Sequence, residues 1–390
     1  MELYTQNRDW KPMEVTVRKV TGMRDMDDFV RLPRKLYRGV PQYVPDLERE
    51  VADSFLVAKN PGLEFCSVQP MVAYRDGVPV GRIAGIVNRK ANERWQQRVV
   101  RFGMIEFIDD LEVSRGLLEA VERWGHDMGM DTIQGPMGFT DFDKEGMLVE
   151  DFHLAGTMNT IWNPEYYPRH METLGYRKAV DWVQIRIQIP QEVPARYSRT
   201  AQYVRQQIGL RVVKLSRTDV IKRGYGQRVF QLLNEAYAPI FGFSALSERQ
   251  VDDFVDRYLR MIDFRLVPVV LNEKGEPVGV AITIGSMTQA MQKADGRLWP
   301  TGWYHLLKAL KWKRAENAEM LLVAVRPDYQ GLGVNALFFD DLIPIYNEYG
   351  FKWAETGPQL EDNVSELSQW KPLKPEFVKR RRCYMREIKM

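Results

Sequence analysis

Six consecutive residues, Gln330-Gly-Leu-Gly-Val-Asn335, have the make-up of a turn that holds an anion. They follow an unbroken apolar run, Met320 to Val325, with the length and β-branched content of a buried strand. Arg326, Pro327 and Asp328 end that strand, and Ala336, Leu337, Phe339, Leu342 and Ile343 then recur at helical spacing. A strand, a tight turn and a helix in this order leave unpaired backbone N–H groups at the helix start. The positive end of the helix dipole lies there too, and both suit phosphate. Gly331 and Gly333 let a ligand approach the backbone closely. A second chemical feature is Glu355, which ends the next predicted strand, Phe351 to Glu355, and offers a carboxylate for proton transfer.

The spacing Val325-x-Pro-x-x-Gln330-x-x-Gly333-x-Asn335 resembles the acyl-CoA signature of the GNAT superfamily, in which Arg or Gln is followed by x-x-Gly-x-Gly/Ala after a strand. The resemblance implies that Gln330, Gly331, Leu332, Gly333, Val334 and Asn335 hold the CoA pyrophosphate. It also implies that the strand edge at Val323 and Val325 pairs with the pantetheine arm. Acyl-CoA, acetyl or longer, is then the co-substrate, and no metal is called for. Acyl transfer to an amine needs a neutral amine, a polarised thioester carbonyl and a departing thiolate, which a carboxylate base and a backbone N–H largely supply. Glu355 is the expected base, and Asn363 matches the Asn that begins the family's last helix. Two departures stand out. Asn335 replaces the usual Gly or Ala, and Trp370 replaces a Tyr that serves as the acid for the thiol.

These residues sit within a repeated order of elements. From Glu14 to Ile189 the pattern predicts a strand, two helices, three strands, a helix, a strand, a helix and a strand. The same order returns from Leu210 to Ile388, after a polar connector from Pro190 to about Gly209. Gly77-Val-Pro-Val-Gly81 corresponds to Gly275-Glu-Pro-Val-Gly279, and Gln134-Gly-Pro136 to Thr356-Gly-Pro358. The order is similar to the GNAT fold. The expected class is therefore α/β (α+β): two tandem units, 1–195 and 196–390, each a mixed, mostly antiparallel twisted sheet flanked by helices. In the first unit the signature turn is replaced by Phe107-Ile-Asp-Asp-Leu-Glu112, whose Asp109, Asp110 and Glu112 oppose phosphate. Only the second unit is expected to hold the donor. The long loop from Phe139 to Val149 is a candidate wall of the acceptor site.

The totals narrow the class of function. A net charge of +3 spread over 390 residues gives no argument for nucleic acid. Arg380-Arg-Arg382 reads as one end of a terminal strand. Cys66 and Cys383 are distant in sequence and fit reduced thiols, and Met1 to Asn7 lack a basic-then-apolar leader pattern, so the expected setting is the cytoplasm. An insertion in the second unit, Arg297 to Arg314, carries Trp303, Leu306, Leu307 and Leu310 beside Lys308, Lys311 and Lys313. Such a helix covers an apolar groove, packs on its own domain, or lies peripherally on a membrane. The expected function is acyl-CoA-dependent N-acyl transfer to a small-molecule or lipid-like amine. The alternatives are a catalytically silent acyl-CoA sensor or interaction module, and an aminoacyl or long-chain acyl transferase.

Overall fold

The computed structural model describes residues 14–312 and 315–389. The leader reading at Met1 to Asn7, and Lys313 and Arg314 of the insertion, lie outside them. The first half contributes β1 (Thr16–Lys19), β2 (Cys66–Arg75), β3 (Val78–Asn88), β4 (Val99–Phe107), β5 (Thr132–Gly135), β6 (Met147–Leu148) and β7 (Arg177–Gln188). The second contributes β8 (Arg211–Lys214), β9 (Pro268–Leu271), β10 (Pro277–Gly285), β11 (Asn317–Val325), β12 (Trp353–Thr356), β13 (Gln359–Leu360) and β14 (Glu376–Glu387).

All of these strands belong to one sheet, in the order β1-β2-β3-β4-β5-β14-β7-β12-β11-β10-β9-β8, with β6 beside β14 and β13 beside β7. Among the described residues, β4–β5 and β11–β12 pair in parallel and the other pairs are antiparallel. The order is symmetric about a central β14–β7 pair, and the last strands have changed places. β14, from the second half, pairs with β5 of the first, while β7 pairs with β12 of the second. Each half's sheet is thus continued by a strand from the other.

Each half packs helices on both faces of its part of the sheet. In the second half, helix Val334–Glu348 buries Leu337, Phe338, Leu342 and Ile343 against the sheet. Helices Tyr225–Tyr237 and Glu248–Met261 cover the opposite face through Val229, Phe230, Leu233 and Val251. The segment expected as a polar connector is instead a helix, Ala195–Tyr203, that continues into a π turn, Val204–Ile208. Tyr197, Ala201 and Val204 form an apolar stripe along it, which is buried against helix Val334–Glu348. Three apolar residues at helical spacing suffice to dock a segment whose other positions are polar. The Arg380–Arg382 run lies within β14, where Arg382 pairs with Asp181 at 2.8 Å and Arg380 with Glu150 at 3.1 Å. Cys66 and Cys383 are free, buried thiols, and burial pushes Cys66 up to about 12.

Candidate active site

Strands β11 and β12 pair only from Asn317↔Trp353 to Met320↔Thr356. Beyond that point β11 leaves β12 and runs on to Val325 paired with β10. The register between β10 and β11 slips at Ile282/Thr283, opposite Leu321, and a bulge there re-aims the main chain. Two carbonyls of this segment accept from side chains. Tyr237 Oη donates to Val323 O at 3.0 Å, and Gln330 Nε2 donates to Val325 O at 3.0 Å.

The glycine turn stands at the end of this cleft. Gly331 and Gly333 have φ of 77° and 85°, left-handed values that favour glycine. Gly333 starts helix Val334–Glu348 with no side chain capping it, so the first N–H groups of the helix have no side-chain acceptor from that residue. A Cβ at Gly331 would meet nothing within 4 Å, whereas one at Gly333 would lie 2.7 Å from Thr200 Cγ2 of the connector helix. Leu332, between them, is 42% exposed. Asn335 Oδ1, at the helix start, is buried without a hydrogen-bond partner, and the buried Glu366 carboxyl bonds the Gln369 side chain. Burial raises the Glu366 carboxyl to about 7, and its charge in turn adds to the burial that raises Tyr237. Buried polar groups normally find partners. An N–H of a pantetheine arm would donate to Asn335 Oδ1, and the uncapped N–H groups at the helix start would donate to a phosphate, so the residues present fit an acyl-pantetheine phosphate.

Two carboxylates face each other across the closed part of the fork, Glu319 on β11 and Glu355 on β12. Glu355, the expected base, is 2% exposed and fully engaged. Its Oε1 accepts from Gln184 Nε2 at 2.9 Å and from Lys379 Nζ, and its Oε2 accepts from Arg186 Nη2 at 3.1 Å. Two cations and an amide therefore surround a group that was expected to accept a proton. Glu319 is the freer carboxylate. Its Oε1 accepts from Ser286 Oγ at 2.6 Å and Thr288 Oγ1 at 3.3 Å, but its Oε2 is buried without a partner. Burial pushes the Glu319 carboxyl up, and the Glu355 charge adds to this, against the hydrogen bond from Ser286. Asn363 is exposed, and its Oδ1 accepts from Glu366 N at 3.2 Å, capping helix Val364–Ser368. Trp370 is buried against Phe339 and donates to Gln359 Oε1 at 3.2 Å. Tyr384 lies in the core of the first half, away from this cleft.

The corresponding slot in the first half is filled by its own side chains. Tyr166 Oη donates to Phe107 O at 2.6 Å, and Phe107 N donates to Tyr167 Oη at 2.8 Å. The Tyr167 ring stacks on Phe107 with centroids 4.0 Å apart. Asp110 caps helix Leu111–Asp127 through Glu112 N and pairs with Arg75 at 2.6 Å, while Asp109 meets His170 at 2.9 Å. The first half also reaches over the second half's cleft. Phe142 stacks on Tyr237 at 5.9 Å, Thr288 Oγ1 lies 3.3 Å from Gly156 O, and Lys379 Nζ donates to Ala155 O at 2.7 Å.

No family model matches the chain. It is 26% identical over 379 residues to "Protein YghO" of Escherichia coli (strain K12), covering 95% of each. It is 27% identical over 319 residues to "Bacterial ceramide synthase" of Caulobacter vibrioides (strain NA1000 / CB15N), covering 81% of this chain and 82% of that one. Among solved structures, a tandem GNAT protein from the clavulanic acid biosynthesis pathway superposes with a TM-score of 0.55 at 10% identity, over 97% of this chain and 99% of that chain. A GCN5-related N-acetyltransferase from Sphaerobacter thermophilus superposes with a TM-score of 0.52 at 14% identity, over 96% of each. The fold is the tandem GNAT fold.

Proposed function

We propose that this tandem GNAT-fold chain is an acyl-CoA-dependent N-acyltransferase whose acceptor is a long-chain amine. The observation that carries the reading is the asymmetry of the two forks. The β11–β12 pairing ends beside a glycine turn whose helix has no side-chain cap, whereas in the first half Asp110 caps the matching helix and Tyr166 and Tyr167 bond Phe107 of β4. The donor would lie along Val323 and Val325, its pyrophosphate at Gln330 to Asn335, and would supply the activated acyl carbonyl. Glu319, with an unpartnered oxygen and a raised carboxyl, takes the proton from the acceptor amine. Glu355 with Lys379 and Arg186 fixes the charge beside it. Asn363 acts through the helix it caps, which carries Glu366 and ends at Gln369. Trp370 has no hydroxyl, so the departing thiolate takes its proton from water or from the proton held on Glu319.

The relative named a ceramide synthase supports the acceptor class, because a ceramide is an N-acylated long-chain amino alcohol. Phe142, stacked on Tyr237 beside Val323, adds apolar surface that also suits an apolar substrate. The test is a mass-spectrometric assay of purified protein with acetyl-, octanoyl- and palmitoyl-CoA against a sphingoid base, a primary alkylamine and a polar amino sugar. The expected product is an amide of the sphingoid base or alkylamine, with release of free thiol. Binding of acyl-CoA without any amide product would instead support a silent sensor.

A further inference from the structure

We propose that helix Gly302–Lys311 and the turn leading into it form a docking face for an anionic lipid bilayer. The helix sits on the second half through one side only. Leu306, Ala309 and Leu310 pack with Ile284, Met287, Ala290 and Leu321. Its other side turns out Trp303, Tyr304, Lys308 and Lys311, with Trp299 before it and Trp312 at its end. Trp299 is 76% exposed and Trp312 65%. The rings form a connected row: Trp299 to Trp303 at 6.3 Å, Trp303 to Tyr304 at 6.2 Å, and Tyr304 to Trp312 at 6.3 Å. Exposed aromatic surface of this extent marks an interaction site.

The chemistry of the face selects the occupant. Trp and Tyr, apolar in body and polar at one tip, favour the lipid headgroup layer. Lys308 lies 5.7 Å from the Tyr304 ring centre, so the cationic and aromatic groups share one surface. No acidic residue occurs between Asp295 and Glu316, and Asp295 is paired with Arg34 at 3.4 Å. A face of tryptophans and uncompensated lysines is complementary to an anionic membrane. A symmetric contact between two copies of the face would bring like charges together. Among the described residues no helix is long and apolar enough to cross a membrane, so the contact is peripheral. The inner side of the same helix packs on the Ile284, Met287 and Ala290 cluster, against which Leu321, the residue at the bulge, also packs. A lipid amine leaving the bilayer beside this helix would approach from the side where Ser286 and Thr288, flanking Met287 of that cluster, hold Glu319. That last step rests on the acyltransferase reading; the docking does not.

The experiment is flotation of the purified protein with phosphatidylglycerol vesicles and with phosphatidylcholine vesicles. The protein should float with the anionic vesicles at low salt and release at about 1 M salt, where the screening length falls to about 3 Å. Trp299→Ala with Trp312→Ala, and separately Lys308→Glu with Lys311→Glu, should each lower partitioning by about tenfold or more, with an unchanged melting temperature. Absence of flotation at low salt, or flotation of both variants equal to wild type, would overturn the proposal. So would a wild-type dimer that the tryptophan pair splits and that never floats. Acylation of a soluble short-chain amine, measured in parallel, separates failure of the docking from failure of the acyltransferase reading.

Discussion

Glu319 and Glu355 are neighbours on adjacent strands, yet their surroundings give them opposite capacities. Glu355 is held by Lys379, Arg186 and Gln184, whereas Glu319 keeps one oxygen unpartnered in a buried setting. Glu319→Gln should lower turnover by about 10²–10⁴-fold, the usual worth of a general base, with acyl-CoA affinity little changed in calorimetry. The pH dependence follows from the raised carboxyl. The base works only when ionised, so kcat/KM should climb with pH, and the climb should fall above the ordinary carboxylate range. That rising limb should vanish in Glu319→Gln. A variant that keeps both turnover and the limb would remove Glu319 from the mechanism. Sequence reasoning reached Glu355 by its place at a strand end and passed over Glu319. A signal was present: Glu319 directly precedes the apolar run Met320 to Val325, where an unpaired charge is costly to bury. What could not be read was that Lys379 and Arg186 arrive from other strands, so the partners that hold Glu355 depend on topology alone.

At the scale of elements, the strand, the glycine turn and the helix that follows were legible because periodicity and glycine placement act locally. The structure adds that the turn is backed by helix Ala195–Tyr203, whose Thr200 leaves no room for a side chain at Gly333. A bulky change at Gly333 therefore tests packing and ligand together. Leu332 is the cleaner probe, since it is half-exposed in the same turn. Leu332→Asp should weaken acyl-CoA binding by about tenfold or more through repulsion of phosphate, while the melting temperature stays within a degree or two of wild type. Equal affinity in the variant would mean that the pyrophosphate does not sit at this turn. The helical connector was missed because its apolar residues are few and its remaining positions are polar. Its stability comes from docking on helix Val334–Glu348 rather than from its own composition.

At the scale of the molecule, the repeat in the sequence foretold two similar halves, and the continuous sheet shows how they are joined. Strand exchange is not written in hydrophobic pattern, because β7 and β14 would read alike in either sheet. The exchange predicts that fragments 1–195 and 196–390, expressed separately, each lack a central strand pairing and remain unfolded or associate. Co-expressed, they should form a stable complex with near-native circular dichroism. Two independently folded, monomeric fragments would contradict the pairing of β5 with β14 and β7 with β12. The exchange also has a meaning in time. A ribosome emits β5 and β7 long before β14, which begins only at residue 376. Throughout that interval the nascent first half presents open strand edges, a state prone to wrong pairing. Safe synthesis of this protein thus depends on shielding by a chaperone, or on the speed with which the final strand arrives.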